Sequence, residues 1–233
     1  MMGGMGEGGQ SRREWLEGAR DSLPLALSAF AYAIGFGVLA RAAGLTVAET
    51  SLMSALVFAG ASQFGALPLL SAAASPATII ATTAAINLRH LLMGASLTRV
   101  LRGVSPPLLA AVAFGLSDET YALVMGRAKR QRLHPAYILG SFLALYVGWN
   151  AGTGLGAGLG ALIGPPERYG LDFAVTAVFI ALLTFFLEGR PGWGVLGAAA
   201  AISIGGVLLL PVNGHLIAAG LGGSLVGAAL EKR

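Results

Sequence analysis

Charged residues are so sparse along this chain that the gaps between them are its most informative pattern. A helix rises about 1.5 Å per residue and needs roughly 20 apolar residues to cross the hydrocarbon of a bilayer. Ser22 to Ala40 is one run of that size, free of charge. Thr50 to Leu88 is about twice as long, and the small residues and proline of Ser71–Pro76 predict a turn within it, with helices over 50–71 and 77–98. Ser105–Met125 predicts a fourth span, interrupted by Asp118 and Glu119; Ala136–Leu159 predicts a fifth and Leu171–Leu187 a sixth. Pro191–Leu230 is again double length, and Pro211-Val212-Asn213-Gly214 divides it into a seventh and an eighth helix. The pattern predicts an all-α polytopic transmembrane bundle of about eight spans, or seven if the last hairpin does not fully insert. Residues 1–20 read as a disordered or polar tail, glycine-rich over Met1–Gln10, and residues 21–230 as a single transmembrane transport domain. The first apolar run lacks a small-residue cleavage site and reads as a retained helix.

Composition agrees. The 233 residues are 55% hydrophobic and 11% charged, with mean hydropathy +0.75. A soluble domain carries about a quarter charged residues, so lipid must be the solvent for most of this chain. Basic residues orient it. With eight spans, Arg12, Arg13, Arg20, Arg127, Lys129, Arg130, Arg132, Arg190, Lys232 and Arg233 fall on one side; Arg41, Arg99, Arg102 and Arg168 fall on the other, and Arg89 lies inside a span. The ten-to-four asymmetry places both termini in the cytoplasm. The net charge of +4 belongs to these loops, with no folded soluble part to present a nucleic-acid-binding face. The absence of cysteine excludes disulfides, thiolate metal sites and cysteine nucleophiles. His90, His134 and His215 lack metal-ligand spacing, so no metal is expected. There is no phosphate-binding glycine loop, which argues against ATP-driven transport by this chain alone, and no cofactor is expected.

The chemistry should lie in the polar residues that lipid penalises. Phe58-Ala59-Gly60-Ala61-Ser62-Gln63-Phe64-Gly65 falls mid-span, followed by Pro68, whose missing N–H frees a carbonyl near Phe64. Either this helix is broken and offers backbone groups to a substrate, or Ser62 and Gln63 bond between helices packed through Gly60 and Gly65. Asn87, Arg89 and His90 form a second cluster. An unpaired arginine there costs at least about 2.5 kcal/mol, so Arg89 faces a pathway or a structural ion pair, unless the span boundary is shifted and Arg89 lies at an interface. Ser117, Asp118 and Glu119 form the third. Adjacent helical residues point about 100° apart, so one carboxylate can pair with Arg89 while the other titrates. Gly148, Gly152, Gly156, Gly160 and Gly164 recur every fourth residue and predict close helix packing, within the chain or with a partner. Trp149 and Asn150 beside them are weaker candidates.

Taken together, Phe58 to Phe64, the run Asn87-Leu88-Arg89-His90 with Ser96-Leu97 beyond, and Ser117-Asp118-Glu119 resemble the AzlC family of branched-chain amino acid permeases. Pro24, Gly35-Phe36-Gly37-Val38, Gly44-Leu45, Ser51 and Ser54 also fit, and the resemblance covers roughly residues 20–165. It implies the large subunit of a bacterial inner-membrane exporter, working with a small hydrophobic AzlD-type subunit. Its substrates would be aliphatic amino acids and its driving force the proton gradient. On the physical reading, Phe58, Gly60, Ser62, Gln63, Phe64, Asn87 and Arg89 are the substrate-binding candidates, with Phe114 added to Phe58 and Phe64 for an apolar side-chain pocket. Asp118, Glu119 and His90 are the proton-coupling candidates. The rivals are a permease for another small solute and a non-transporting assembly subunit. A further rival is an intramembrane serine protease using Ser62 with His90 or His215, which would explain neither Arg89 nor Asp118-Glu119. The expectation is a transporter and not an enzyme.

Overall fold

The computed structural model describes residues 7–98, 100, 101, 104–131, 133–162, 180, 183, 187, 189–209 and 214–231, and their regular structure is entirely helical. Gly164, the connection at 211–213 and nearly all of the sixth expected span lie outside the described residues.

The first helix, α1, covers Glu7–Ala42. Residues 7–20, expected in a disordered or polar tail, are therefore helical and extend the first span at its N-terminal end. The second expected span is two half-helices, α2 (Val47–Val57) and α3 (Gly60–Ser71). The third is α4 (Pro76–Asn87) and α5 (Arg89–Leu97), and the fourth is α6 (Pro106–Phe114) and α7 (Asp118–Ala128). The fifth is unbroken, α8 (Pro135–Leu162). Two more helices, α9 (Gly189–Leu209) and α10 (Gly214–Glu231), pack together through Gly222 against Ile202 and through Gly223 against Val195 and Ala199.

Local chemistry sets the helix starts. Thr46 and Glu49 form a reciprocal capping box at α2, with Thr46 N–H donating to Glu49 Oε2 at 2.7 Å. Ser75 caps α4 ahead of Pro76, and Pro106 and Pro107 occupy the first turn of α6, where a missing N–H costs nothing. Among the described residues, the segments Gly8–Ala42 and Pro191–Leu209 are long and apolar enough to cross a membrane. The half-helices are too short to do so singly.

The core is built on α1 and α8, which run side by side in the same direction. Tyr137 lies against Gly18, Gly148 against Ala26, Gly152 against Phe30 and Gly156 against Ile34. A Cβ on Gly148 would sit 2.8 Å from the Ala26 carbonyl oxygen. The glycine stripe thus serves contact within the chain, and it begins earlier than expected, at Gly140 against Trp15. One end of this pair is fastened by Arg127, which bonds Glu14 at 2.8 Å and Glu17 at 2.7 Å and stacks over the Tyr137 ring at 4.1 Å. The Arg127 hydrogen bond, and then that of Arg13, holds the Glu17 carboxyl below its usual range.

Candidate functional site

The first break is at Phe58 and Ala59. Phe58 adopts a left-handed conformation (φ 38, ψ 47) that ends α2, and its N–H bonds the Ser54 carbonyl at 3.3 Å. Ala59 begins α3 with no side-chain cap. Chain direction therefore changes just before Gly60, whereas Pro68 sits inside α3. Gly60 is needed because a Cβ would lie 2.8 Å from the Trp149 ring.

Behind this break is a polar network sealed from solvent. Ser54 Oγ meets Thr153 Oγ1 at 2.8 Å and accepts from Gln63 Nε2 at 3.0 Å and from Trp149 Nε1 at 3.2 Å. Ser54, Gln63 and Thr153 are each 0% exposed. Asn87 Nδ2 donates to Ser62 Oγ at 3.2 Å, linking α4 to α3. Among the described residues, five buried side-chain polar atoms have no partner: Tyr32 Oη, Gln63 Oε1, Asn87 Oδ1, Arg89 Nε and, near the C-terminal end of α1, Arg41 Nε. Buried polar groups are nearly always satisfied, so two amide oxygens, a phenol and two guanidinium nitrogens are polar capacity that the described residues leave unused.

The second break runs from Gly115 to Ser117. Ser117 and Thr120 cap α7 reciprocally, at 3.2 Å for Thr120 N–H to Ser117 Oγ and 2.7 Å for Ser117 N–H to Thr120 Oγ1. Asp118 and Glu119 therefore do not interrupt a continuous helix, as the sequence pattern suggests. They open a half-helix, in the turn where the helix dipole favours negative charge. Asp118 Oδ2 accepts from Arg89 Nη1 at 2.6 Å, and Arg89 itself opens α5 just past Leu88, where the helix tightens into a turn with right-handed backbone (φ −53, ψ −32). Glu119 has no ion-pair or hydrogen-bond partner among the described residues. His90 Nδ1 bonds the Asn87 carbonyl of its own turn at 3.1 Å, away from both carboxylates. Ser62 donates to the Ala59 carbonyl at 2.9 Å, so neither member of the Ser62–His90 protease pair bonds the other.

The three phenylalanines do not form one pocket. Phe58 and Phe114, one at each break, meet over the same face of α8: Phe58 is 5.2 Å from Tyr146 and 5.7 Å from Phe142, and Phe114 is 6.0 and 5.9 Å from the same rings. Phe64 is fully buried elsewhere, 4.7 Å from Tyr32, 5.5 Å from Phe36 and 6.5 Å from Trp149. Sequence reasoning passed over Tyr32 and Thr153 as parts of this centre. A phenol in the middle of an apolar run is a signal that could have found Tyr32; Thr153 was hidden in the glycine stripe.

A family model described as AzlC protein matches residues 24–163, which hold both breaks and every residue of this centre. The chain belongs to the AzlC family. It is 35% identical over 208 residues to an uncharacterized membrane protein of Archaeoglobus fulgidus, an alignment covering 88% of this chain and 90% of the relative. The inner membrane protein YgaZ of Escherichia coli is 30% identical over 88% of this chain and 85% of its own length. The branched-chain amino acid transport protein AzlC of Bacillus subtilis is 25% identical over 86% of this chain and 80% of its own length. No solved structure matches. The AzlC match ends one residue beyond α8, so α9 and α10 lie outside it.

Proposed function

We propose that this AzlC-family chain is the large subunit of a secondary transporter that exports branched-chain and other aliphatic amino acids across the bacterial inner membrane in exchange for protons. One observation carries the reading: two interrupted helices bring the aromatic side chains at their breaks onto the same rings of α8, and the helices around them hold buried polar atoms that have no partner. Irregular backbone at membrane depth is tolerated where it lines a cavity or is buried in protein, and transporters place substrate sites at such half-helix junctions.

The leftover atoms suit a zwitterion. Arg89 Nε is a donor for a carboxylate, the amide oxygens of Gln63 and Asn87 are acceptors for an ammonium, and Phe58, Phe114, Phe142 and Tyr146 offer an aromatic face to an aliphatic side chain. An apolar pocket discriminates one methylene by only about 1–3 kcal/mol, so leucine, isoleucine and valine should all be carried. The name of the Bacillus subtilis relative supports the substrate class. A small hydrophobic AzlD-type subunit would cover part of the exposed apolar surface, where Ile80, Leu91 and Leu92 stand outward from α4 and α5.

The test is labelled leucine flux in vesicles holding this chain, with and without the small subunit, under an imposed pH gradient. Flux that follows the gradient, and falls at least tenfold in Gln63→Ala and Arg89→Gln at normal expression, is expected. No flux in either preparation, or flux from the small subunit alone, would overturn the proposal.

A further inference from the structure

The N-terminal part of α1 sorts its charges by face. Glu14 and Glu17 turn inward to Arg127, at 2.8 and 2.7 Å, and Asp21 accepts from the Tyr137 hydroxyl at 3.0 Å. Arg12, Arg13 and Arg20 are exposed. Arg13 bonds Glu17 at 2.9 Å, whereas Arg12 and Arg20 have no ion pair among the described residues. At 3.6 residues per turn, the three arginines fall within an arc of about 100° that also holds Leu16, Leu23 and Leu27, and these leucines are exposed as well. A shallow groove along this arc is lined by Gly9, Arg12, Arg13, Leu16, Glu17 and Arg20.

We infer that this face of α1 binds an anionic phospholipid of the leaflet that holds the N-terminal end of the helix, with the phosphate at Arg12 and Arg20 and an acyl chain along Leu23 and Leu27. Depth along the helix supports a lipid over a free anion. At about 1.5 Å per residue, Arg20 and Arg41 bracket about 31 Å of α1, close to the roughly 30 Å of hydrocarbon. Arg20 then sits at the boundary, and Arg12 lies about 12 Å further out, at headgroup level. Leu23 and Leu27 lie about 5 and 11 Å inside it, where acyl chains run. An acidic protein could cover the arginines but would not reach those leucines. Guanidinium groups form charge-assisted hydrogen bonds with phosphate. A zwitterionic lipid offers the same phosphate but brings a cation that the arginines repel, so the lipid is one of net negative charge. The acids that would oppose it are already answered: Glu17, which borders the groove, is shared by Arg13 and Arg127, and Glu14 is held by Arg127.

The full-length protein in a neutral detergent is titrated with phosphatidylglycerol, with phosphatidylcholine of the same acyl chains, and with inorganic phosphate, and native mass spectrometry follows the first bound molecule. At about fivefold per arginine, phosphatidylglycerol should bind about twentyfold more tightly than phosphatidylcholine. Arg12→Gln combined with Arg20→Gln should remove most of that preference, and Arg12→Lys with Arg20→Lys should keep most of it. Leu23→Ala with Leu27→Ala should weaken both lipids alike and leave their ratio unchanged. Lys129→Gln with Arg130→Gln removes the same charge from exposed positions elsewhere and should leave the preference intact. Equal loss in that control pair would reduce the effect to diffuse positive charge and overturn the inference. So would a preference that survives the double glutamine variant at Arg12 and Arg20, or no preference in the wild type. Inorganic phosphate binding as tightly as phosphatidylglycerol would overturn it in favour of a free-anion site.

Discussion

At the scale of residues, the centre depends on one ion pair. The side chains of Arg89 and Asp118 are 31% and 36% exposed, so the pair is only partly withdrawn from its surroundings. Removing one partner leaves the other uncompensated, whereas replacing both with apolar groups of similar size can be nearly neutral. Arg89→Met or Asp118→Leu alone should therefore lower stability by about 1–3 kcal/mol. The double variant should recover most of that in a thermal melt, and recovery smaller than the error of the single variants would show that the pair does not matter for folding. Transport should be lost wherever Arg89 is replaced, because Nε goes with it. The three polar clusters were legible in the sequence because lipid makes such residues conspicuous. Which carboxylate pairs with Arg89 was not, since that follows from where the break at Gly115–Ser117 starts α7. Tyr32 escaped notice because a phenol is cheap enough in a membrane to pass for packing.

At the scale of elements, charge-free runs located helical segments among the described residues but hid their interruptions. A hydropathy run records that a segment lies in lipid and says nothing of a left-handed residue at its middle, such as Phe58. The glycine stripe was more transparent, because a four-residue repeat of glycines has few uses other than close packing. Its partner, α1, follows from the backbone contacts. A methyl group on Gly152 or Gly156 would run into the Phe30 or Ile34 carbonyl, and backbone cannot move aside cheaply, while Gly154 and Gly158 have nothing within 4 Å. Gly152→Ala and Gly156→Ala should each cost about 1–3 kcal/mol from overpacking. Gly154→Ala and Gly158→Ala should be neutral or slightly stabilising, as alanine favours helix. Melting temperatures of the four variants decide it, and equal values would remove α1 as the partner of the stripe.

At the scale of the whole molecule, one end of the α1–α8 pair is fastened by charge. Arg127 gathers Glu14 and Glu17 from α1. Because the folded state holds the Glu17 carboxyl below its usual range, the stability it contributes is present above that range and is lost as pH falls through the lowered value. Melting temperature should fall on acidification into the carboxylate range, and Arg127→Gln should shrink that fall. The same clamp bears on topology. It joins the C-terminal end of α7 to the N-terminal part of α1, and α1 and α8 run parallel. Parallel first and fifth spans require an odd number of crossings between them. The pairs α2–α3, α4–α5 and α6–α7 supply three if each pair of half-helices crosses once. The natural absence of cysteine makes this directly testable with single introduced thiols. Cysteines at Arg13, Ala77 and Lys129 should react with an impermeant maleimide from the cytoplasmic side only, and cysteines at Ala48 and Thr98 from the opposite side only. A cysteine at Ala229 then separates the two span counts: cytoplasmic labelling fits eight crossings, and labelling from outside fits seven. If Ala77 and Ala48 label from the same side, α2 and α3 form a re-entrant hairpin, and the odd number of crossings must be found elsewhere.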